Sequence, residues 1–476
     1  MLNKDFHTVI EQEVFQTLSR CADKLSLETY VVGGFVRDHL LGRGKAKDID
    51  IVAVGSGIEL AKATQKELPG AQAVQIFKSY GTAMVNWKNI SLEFVGARKE
   101  SYSRESRNPK VSKGTLEDDQ NRRDFTINTL AVSLNIKDKG TLIDPFSGLE
   151  DLENGIIKTP LEPGLTYSDD PLRMLRAIRF ATQLKFKIET QSLKAIQENA
   201  HRISIISNER IVEEIHKIML TPQPSHGFLM LEQEGLLEYI LPELIQLKGI
   251  EEIEGQRHKD NFYHTLEVVD NICLHTENLW LRWAALLHDI GKAPTKKFHP
   301  KIGWTFHGHE FIGSKMVYKL FKHLKMPLNE KMKYVQKLVM MSSRPIIISE
   351  DIVTDAAVRR LVFDAGEILE DLITLCEADI TTKNSARFKR YHNNFKIVRE
   401  KLKEVEERDR IRNFQPPVTG EMIMNHFNLR PCREVGLIKE AIKEAILDGE
   451  IPNEYEAAFV LMIKKGSEIG LEAHGE

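Results

Sequence analysis

Apolar residues recur at helical spacing over residues 5–25, at Phe6, Ile10, Val14, Leu18 and Leu25, which predicts one helix leading into a first strand. That strand, Thr29–Val32, is short and built of β-branched and aromatic residues. Gly33-Gly34 breaks it, and Phe35–Leu41 resumes with helical spacing. Further strand-like runs fall at 48–54, 73–76, 83–87, 91–95, 130–134 and 141–143, with Gly, Pro and polar breaks between them. Beyond about residue 150 the strand signal stops. From Leu172 the pattern is helical almost to the end, interrupted at Thr221–Pro224, Pro242, Gly255, Pro294–Gly303, Pro345 and Pro416-Pro417. The shift predicts an α+β chain, with a small mixed sheet in an N-terminal head and a long all-helical remainder.

A length of 476 residues allows several domains with sizeable cores. The net charge of −3 gives no polyanion-binding signature, so any nucleic acid must be met by a local basic surface. Cys21, Cys273, Cys376 and Cys432 are far apart and form no CxxC pair, which argues against a zinc-thiolate site and fits reduced thiols. The N-terminal segment carries Asp5, Glu11 and Glu13 and has no apolar core, unlike a secretory signal. The most apolar run, Leu279–Leu287, contains Arg282 and is too short to span a bilayer. A cytoplasmic protein without membrane attachment is expected.

The chemistry concentrates around residues 31–50. Glycines at a strand-to-helix turn, Gly33 and Gly34, let backbone approach a ligand closely, and the following helix start offers N–H groups to phosphate. Arg37 adds a guanidinium fork to the same anion. In Asp48-Ile49-Asp50-Ile51-Val52, residues two apart share a strand face, so Asp48 and Asp50 project together while Ile49 and Ile51 enter the core. Adjacent carboxylates repel unless a cation joins them, the usual way of holding Mg²⁺ against substrate phosphates. Downstream, Arg122, Arg123, Asp124 and Asn128 combine phosphate forks with an amide suited to a ribose hydroxyl. Asp170, Arg173, Arg176 and Arg179 recur every third position of a predicted helix, so neighbours share a face. An Asp–Arg pair sets an acceptor beside donors, matching the edges of cytosine and adenine and refusing uracil and guanine.

These motifs, GGxVRDxLLG, DID, RRDFTIN, DPFSG (Asp144–Gly148), DDPLRMLRAIRF and the ERIVEE segment Glu209–Glu214, stand in the order seen in class II tRNA nucleotidyltransferases. The chain resembles that family, which includes CCA-adding enzymes and bacterial poly(A) polymerases, most strongly over residues 25–225. The resemblance implies that Asp48 and Asp50 are catalytic and carry Mg²⁺. It implies that Gly33, Gly34, Arg37, Arg122, Arg123, Asp124 and Asn128 hold the nucleotide, and that Asp170 and Arg173 read the base in a pocket shared with Arg176 and Arg179. Asp169 stands where the family usually has Glu. The segment Ile76–Thr82 is similar to the CCA-adding branch, and Arg98–Asp119 occupies the place of a loop that assists the switch from C to A. Glu93 reads equally as a third acid or as a surface glutamate.

The helical half carries its own pattern: His264, His288-Asp289 followed by Ile-Gly-Lys, His309, and Asp379. A His, His-Asp, Asp set suits one divalent ion, and residues 255–395 resemble the HD phosphohydrolase superfamily. Ser342 stands where relatives with more ligands place another His. Phosphohydrolase activity and a retained RNA-binding scaffold are both open readings, as is a second divalent ion there. The resulting expectation is a head at 1–150, a helical neck at 151–225, an HD domain at 226–395 and a helical tail at 396–476. The implied activity is template-independent addition of CCA to tRNA from CTP and ATP. A-only or poly(A) addition, and an HD hydrolase acting on RNA ends, are the alternatives. Oligomeric state is left open.

Overall fold

The computed structural model describes residue 2 and residues 5–44, 47–78, 81–103, 106–346, 354–409 and 415–472. Ser79 and Tyr80 of the Ile76–Thr82 segment lie outside the described residues. The chain divides into two compact units, Met1–Pro242 and Glu243–Glu476.

In the first unit, the N-terminal apolar stretch forms two helices, α1 (His7–Ile10) and α2 (Glu13–Lys24), instead of the single one expected. Gln12 takes an extended backbone between them, and the buried positions Ile10 and Val14 keep their spacing across the break. There follow β1 (Glu28–Val32), α3 (Gly34–Leu40), β2 (Asp48–Val54), α4 (Gly57–Glu67), β3 (Gln75–Phe77), β4 (Thr82–Trp87) and β5 (Ile90–Gly96). A hairpin of β6 (Arg98–Ser103) and β7 (Ser106–Lys113) leads to α5 (Leu116–Asn121), β8 (Ala131–Ser133) and β9 (Leu142–Ile143). The main sheet has the order β3-β4-β5-β2-β1-β8-β9 and is mixed, because β2 and β5 run parallel while the other pairs are antiparallel. Helices α3 and α4 pack on β2, and Ile49, Ile51, Leu92 and Phe94 are buried. Alternation along β2 leaves Asp48 and Asp50 on the opposite face, where Tyr30, Val32, Val52 and Ala131 form a smaller core.

The rest of this unit is helical: α6 (Gly148–Asn154), α7 (Pro163–Asp169), α8 (Leu172–Leu184), α9 (Thr190–Asn199), α10 (Asn208–Met219) and α11 (Pro224–Gln233). Between α6 and α9, β10 (Ile156–Ile157) and β11 (Lys187–Ile188) pair in parallel, although no strand was expected here. Two-residue strands are too short to show alternation, so only tertiary pairing defines them. Helix α8 packs on α10 and α11, with Met174, Leu175, Ile178 and Ala181 buried. It ends at Lys185, which adopts the left-handed conformation at φ +60°.

The second unit is built on helices Asn261–Cys273, Leu279–Leu287, His309–His323, Glu330–Met341, Asp355–Ala365, Leu369–Ala378 and the long Ser385–Asp409. Its last three helices, Gly420–His426, Arg433–Asp448 and Tyr455–Glu468, share a core of Val418, Ile423, Ile438, Ile442, Ala458 and Met462. Arg360 fixes Arg433–Asp448 by a bidentate pair with Asp448 at 2.9 Å. Among the described residues no helix is long and apolar enough to cross a membrane.

Candidate active site in the first unit and histidine cluster in the second

Strand register sets the first site. Asp50 lies opposite Val32 on β1 and Glu93 on β5. Val32 is the last residue before the glycine turn, so pairing brings the turn beside Asp50. Gly33 has φ +73°, and a Cβ there would sit 3.2 Å from Arg123 Nη1 and 3.4 Å from Asp50 Oδ2. The backbone conformation requires glycine, and the tight approach of the two side chains adds to that. Parallel pairing puts Glu93 on the same face as Asp50, joining Asp48 in a row of three acids. Burial raises the Asp50 pKa; Arg123 opposes this, while Asp48 and Asp119 add to it. Burial raises that of Glu93 too, helped by Asp50 and Asp48. Crowded, partly desolvated acids are the donor set that a hard divalent cation satisfies.

Around the acids the basic residues form one connected network. Arg37 Nη1 donates to Asn128 Oδ1 at 2.7 Å, and Asn128 Nδ2 donates to Asp124 Oδ1 at 3.0 Å. Arg176 Nε donates to Asp124 Oδ2 at 2.7 Å. Each end of the Asn128 amide is therefore assigned by its partner. Burial disfavours charge on Asp124, but the Arg176 guanidinium, the Asn128 amide and Arg173 outweigh it and hold the carboxyl well below the usual range. The Phe180 ring packs beneath three guanidinium groups, with Arg179 at 3.9 Å, Arg37 at 4.9 Å and Arg176 at 5.5 Å.

Arg122 and Arg123 follow the last residue of α5 and converge on Asp119, which is fully buried. Arg123 donates Nε and Nη2 to Asp119 Oδ2 at 3.0 and 2.9 Å; Arg122 donates Nε and Nη2 to Oδ1. Sequence reasoning missed Asp119, although its spacing of three and four residues from the two arginines is that of helical ion pairs. Likewise Glu214 in the ERIVEE segment is buried and holds Arg179 at 2.7 Å and Lys217 at 2.9 Å. Burial lowers the Arg179 pKa to about 10; Glu214 opposes this and the neighbouring Arg176 adds to it.

At the start of α8, Asp170 Oδ1 accepts the Leu172 N–H at 3.2 Å, and Oδ2 faces Arg210 at 3.7 Å. Arg173 is buried and donates Nη2 to the Arg122 carbonyl. Asp170 and Arg173 thus open the helix whose next turns carry Arg176 and Arg179.

The second unit assembles the histidine cluster. Asp260 caps Asn261–Cys273, which carries His264; His288 and Asp379 cap the C-terminal ends of Leu279–Leu287 and Leu369–Ala378. His264 Nε2 lies 2.8 Å from Asp379 Oδ1, and His288 Nε2 lies 3.4 Å from Asp289 Oδ2. Among the described residues, His264, His288 and Asp379 are the only group of three with ligand atoms within 4.8 Å of one another. His288 Nδ1 is 2.7 Å from the Ala285 carbonyl, while its buried Nε2 makes no hydrogen bond. That orphaned nitrogen, aimed at two carboxylates, fits a metal ligand. Burial opposes charge on His288, yet Asp289 and Asp379 raise its pKa to about 10, which measures the pull the two carboxylates exert on positive charge beside them. His309 Nε2 is 3.7 Å from Asp289 Oδ1. Lys259, which sequence reasoning passed over, places Nζ 2.7 Å from His264 Nδ1. Ser342 turns its hydroxyl to the Val339 carbonyl at 3.0 Å.

Three family models match in order along the chain. The poly A polymerase head domain matches residues 29–158, the probable RNA and SrmB-binding site of polymerase A residues 185–247, and the HD domain residues 261–384. The A-adding tRNA nucleotidyltransferase of Deinococcus radiodurans is 34% identical over 358 residues, covering 72% of this chain and 79% of that protein. The CCA-adding enzyme of Anoxybacillus flavithermus is 35% identical over 289 residues, covering 60% and 65%. The crystal structure of the Bacillus stearothermophilus CCA-adding enzyme in complex with CTP shares the fold, with a TM-score of 0.69 at 22% identity over 96% of this chain and 99% of that one. Identity at this level across most of both sequences places the chain in the tRNA nucleotidyltransferase family.

Proposed function

We propose that the chain completes tRNA 3′ ends by template-independent addition of CCA from CTP and ATP. The observation that carries this reading is the meeting, within one unit, of the Asp48–Asp50 pair, the Gly33 turn and the arginine network ending on α8. Asp48 and Asp50 would hold Mg²⁺, with Glu93 close on the same sheet face. Bound there, the ion would lower the pKa of the RNA 3′-hydroxyl and offset charge on the departing pyrophosphate. The residues of the chain supply position. Gly33 admits the triphosphate to the acids, and Arg37, Arg122 and Arg123 bind its oxygens through the donors left free by their internal partners. Asn128, buried and held at both ends, would act on the nucleotide chiefly by orienting Arg37. Asp170 and Arg173 present an acceptor beside donors to the base, so a mismatched edge leaves buried polar groups unpaired. No covalent intermediate on the protein is required.

Extension of tRNAs lacking CCA, CA or A, each with one labelled nucleotide, tests this. CTP is expected on the first two and ATP on the third, with UTP and GTP used at least ~100-fold less efficiently, the penalty of unpaired polar groups. Incorporation of UTP as readily as CTP would overturn the role of Asp170 and Arg173. A second reading, A-only addition, is favoured by the A-adding relative, and the same experiment decides it: only the tRNA lacking A would then be extended.

The histidine cluster supports a separate divalent site that acts as a phosphohydrolase on RNA ends. It is expected to be dispensable for nucleotide addition. Asp289→Ala should leave CTP and ATP incorporation within about twofold while removing metal-dependent phosphatase or phosphodiesterase turnover. Loss of nucleotide addition in a folded variant would show that the helical unit takes part in transfer.

A further inference from the structure

A cavity of about 430 Å³ opens beside the histidine cluster of the second unit. Asp379 belongs to both, so a molecule in the cavity has one end at the ligand atoms. Lys259 and Thr381 form the polar wall next to Asp379, and Ile346, Ile380 and Tyr391 an apolar one. The two lysines at the cluster are held differently. Lys292 is paired with Asp289 at 2.6 Å. Among the described residues Lys259 faces neutral partners: its Nζ lies 2.7 Å from His264 Nδ1 and donates to the Thr381 hydroxyl. Thr381 Oγ1 is itself 3.0 Å from His264 Nδ1. An ammonium only donates, so Nδ1 presents its lone pair to Lys259. In a neutral imidazole the hydrogen then sits on Nε2, where Asp379 Oδ1 accepts it at 2.8 Å. Ligation of a cation through Nε2 needs the lone pair on that side, which moves the hydrogen to Nδ1 and sets two donors 2.7 Å apart. Metal-ligating histidines ordinarily give that second hydrogen to a carboxylate, a carbonyl or water; here a positive charge stands in the way. Lys259 is exposed, and the cavity is the space open to its ammonium.

We propose that Lys259 is the anion-binding residue of this cavity and exchanges His264 for a phosphate oxygen, so that phosphate and a divalent cation bind cooperatively. The inference rests on the reading of the cluster as a divalent site that acts on phosphate esters. A phosphate in the cavity draws the ammonium off Nδ1 and frees His264 to turn its Nε2 lone pair to the cluster. Thr381 Oγ1 remains to accept the hydrogen that moves to Nδ1. Linkage makes the effect reciprocal: whatever phosphate does for the cation, the cation does for phosphate. The apolar wall gives the organic part of the ester a place away from the charges.

The test titrates the full chain and its Lys259→Met variant with Mn²⁺ by calorimetry, with and without inorganic phosphate. The site in the second unit is identified as the binding lost in Asp289→Ala. Without phosphate, Lys259→Met should bind Mn²⁺ about tenfold more tightly than the parent, the scale on which partners of a ligating histidine act. Phosphate should tighten Mn²⁺ binding to the parent by about tenfold, an ordinary coupling between two sites, and to the variant by less than about threefold. Damage to the site would weaken binding, so a gain separates this role from a merely structural one. A variant that binds Mn²⁺ no more tightly than the parent, or an equal phosphate effect in both, would overturn the inference and leave the divalent site standing. A parent chain with no Mn²⁺ binding that Asp289→Ala removes would overturn both readings.

Discussion

Asp50→Asn is expected to reduce CTP incorporation by a factor of about a thousand or more, since removing a metal ligand forfeits several kcal/mol of transition-state stabilisation. Asp48→Ala should do the same while leaving tRNA binding largely intact. The Asn variant carries an unusual second signature. Burial already disfavours charge at Asp50, with Asp48 and Asp119 adding repulsion. An isosteric neutral amide removes that penalty, so the inactive variant should unfold at the same temperature as the parent or higher. Primer extension and thermal melting of one preparation check both halves. Activity within tenfold of the parent would refute the metal assignment.

Asp124→Asn should cost about 3–5 kcal/mol of stability, the range for breaking a buried pair while leaving its partner charge in place. Arg176 would lose its anion and meet an amide N–H₂ in place of Oδ2, while the remaining amide oxygen could still accept from Asn128 Nδ2. The pH dependence has a definite sign. The folded pKa of Asp124 lies below its unfolded value of about 4. Its contribution is therefore complete above about pH 4 and is lost only as acid approaches the folded value. Urea unfolding of parent and variant should differ by a constant amount from about pH 5 to 7, and the gap should narrow in stronger acid. A gap that widens below pH 4 would reverse the assignment. The same variant should raise the KM for CTP more than it lowers kcat, because it loosens binding groups without touching the acids.

Local spacing made part of this site legible. Two-residue alternation is a property of any strand, so Asp48 and Asp50 could be set on one face before any fold was known. The Gly33 turn was readable for the same reason, since it depends on neighbours a few residues away. The position of Glu93 was not, because it depends on parallel pairing between strands forty residues apart in sequence, and β5 alone reads as an ordinary half-exposed strand. The partners of the arginines were equally hidden. Asn128 and Asp124 look like ligand-binding groups in the sequence, yet most of their hydrogen-bonding capacity is spent within the protein. A linear motif shows which functional groups are present; which of their lone pairs and protons stay free for substrate is decided by packing. The break at Gln12 and the pairing of β10 with β11 were missed because neither leaves a periodic trace.

The shared grip of Arg122 and Arg123 on Asp119 has a further consequence. Each guanidinium turns one edge inward to the buried acid, and at the other edge Arg122 Nη1 faces Glu100 at 3.6 Å while Arg123 Nη1 reaches the Asn128 carbonyl at 3.5 Å, so a phosphate would have to share that second edge with these long contacts. A lysine at either position has a single ammonium, which could satisfy the acid or the ligand but would have to abandon one for the other. On the proposed reading, the planar, two-edged shape of arginine is what would join the anchoring interior to an incoming nucleotide, and charge alone would be no substitute.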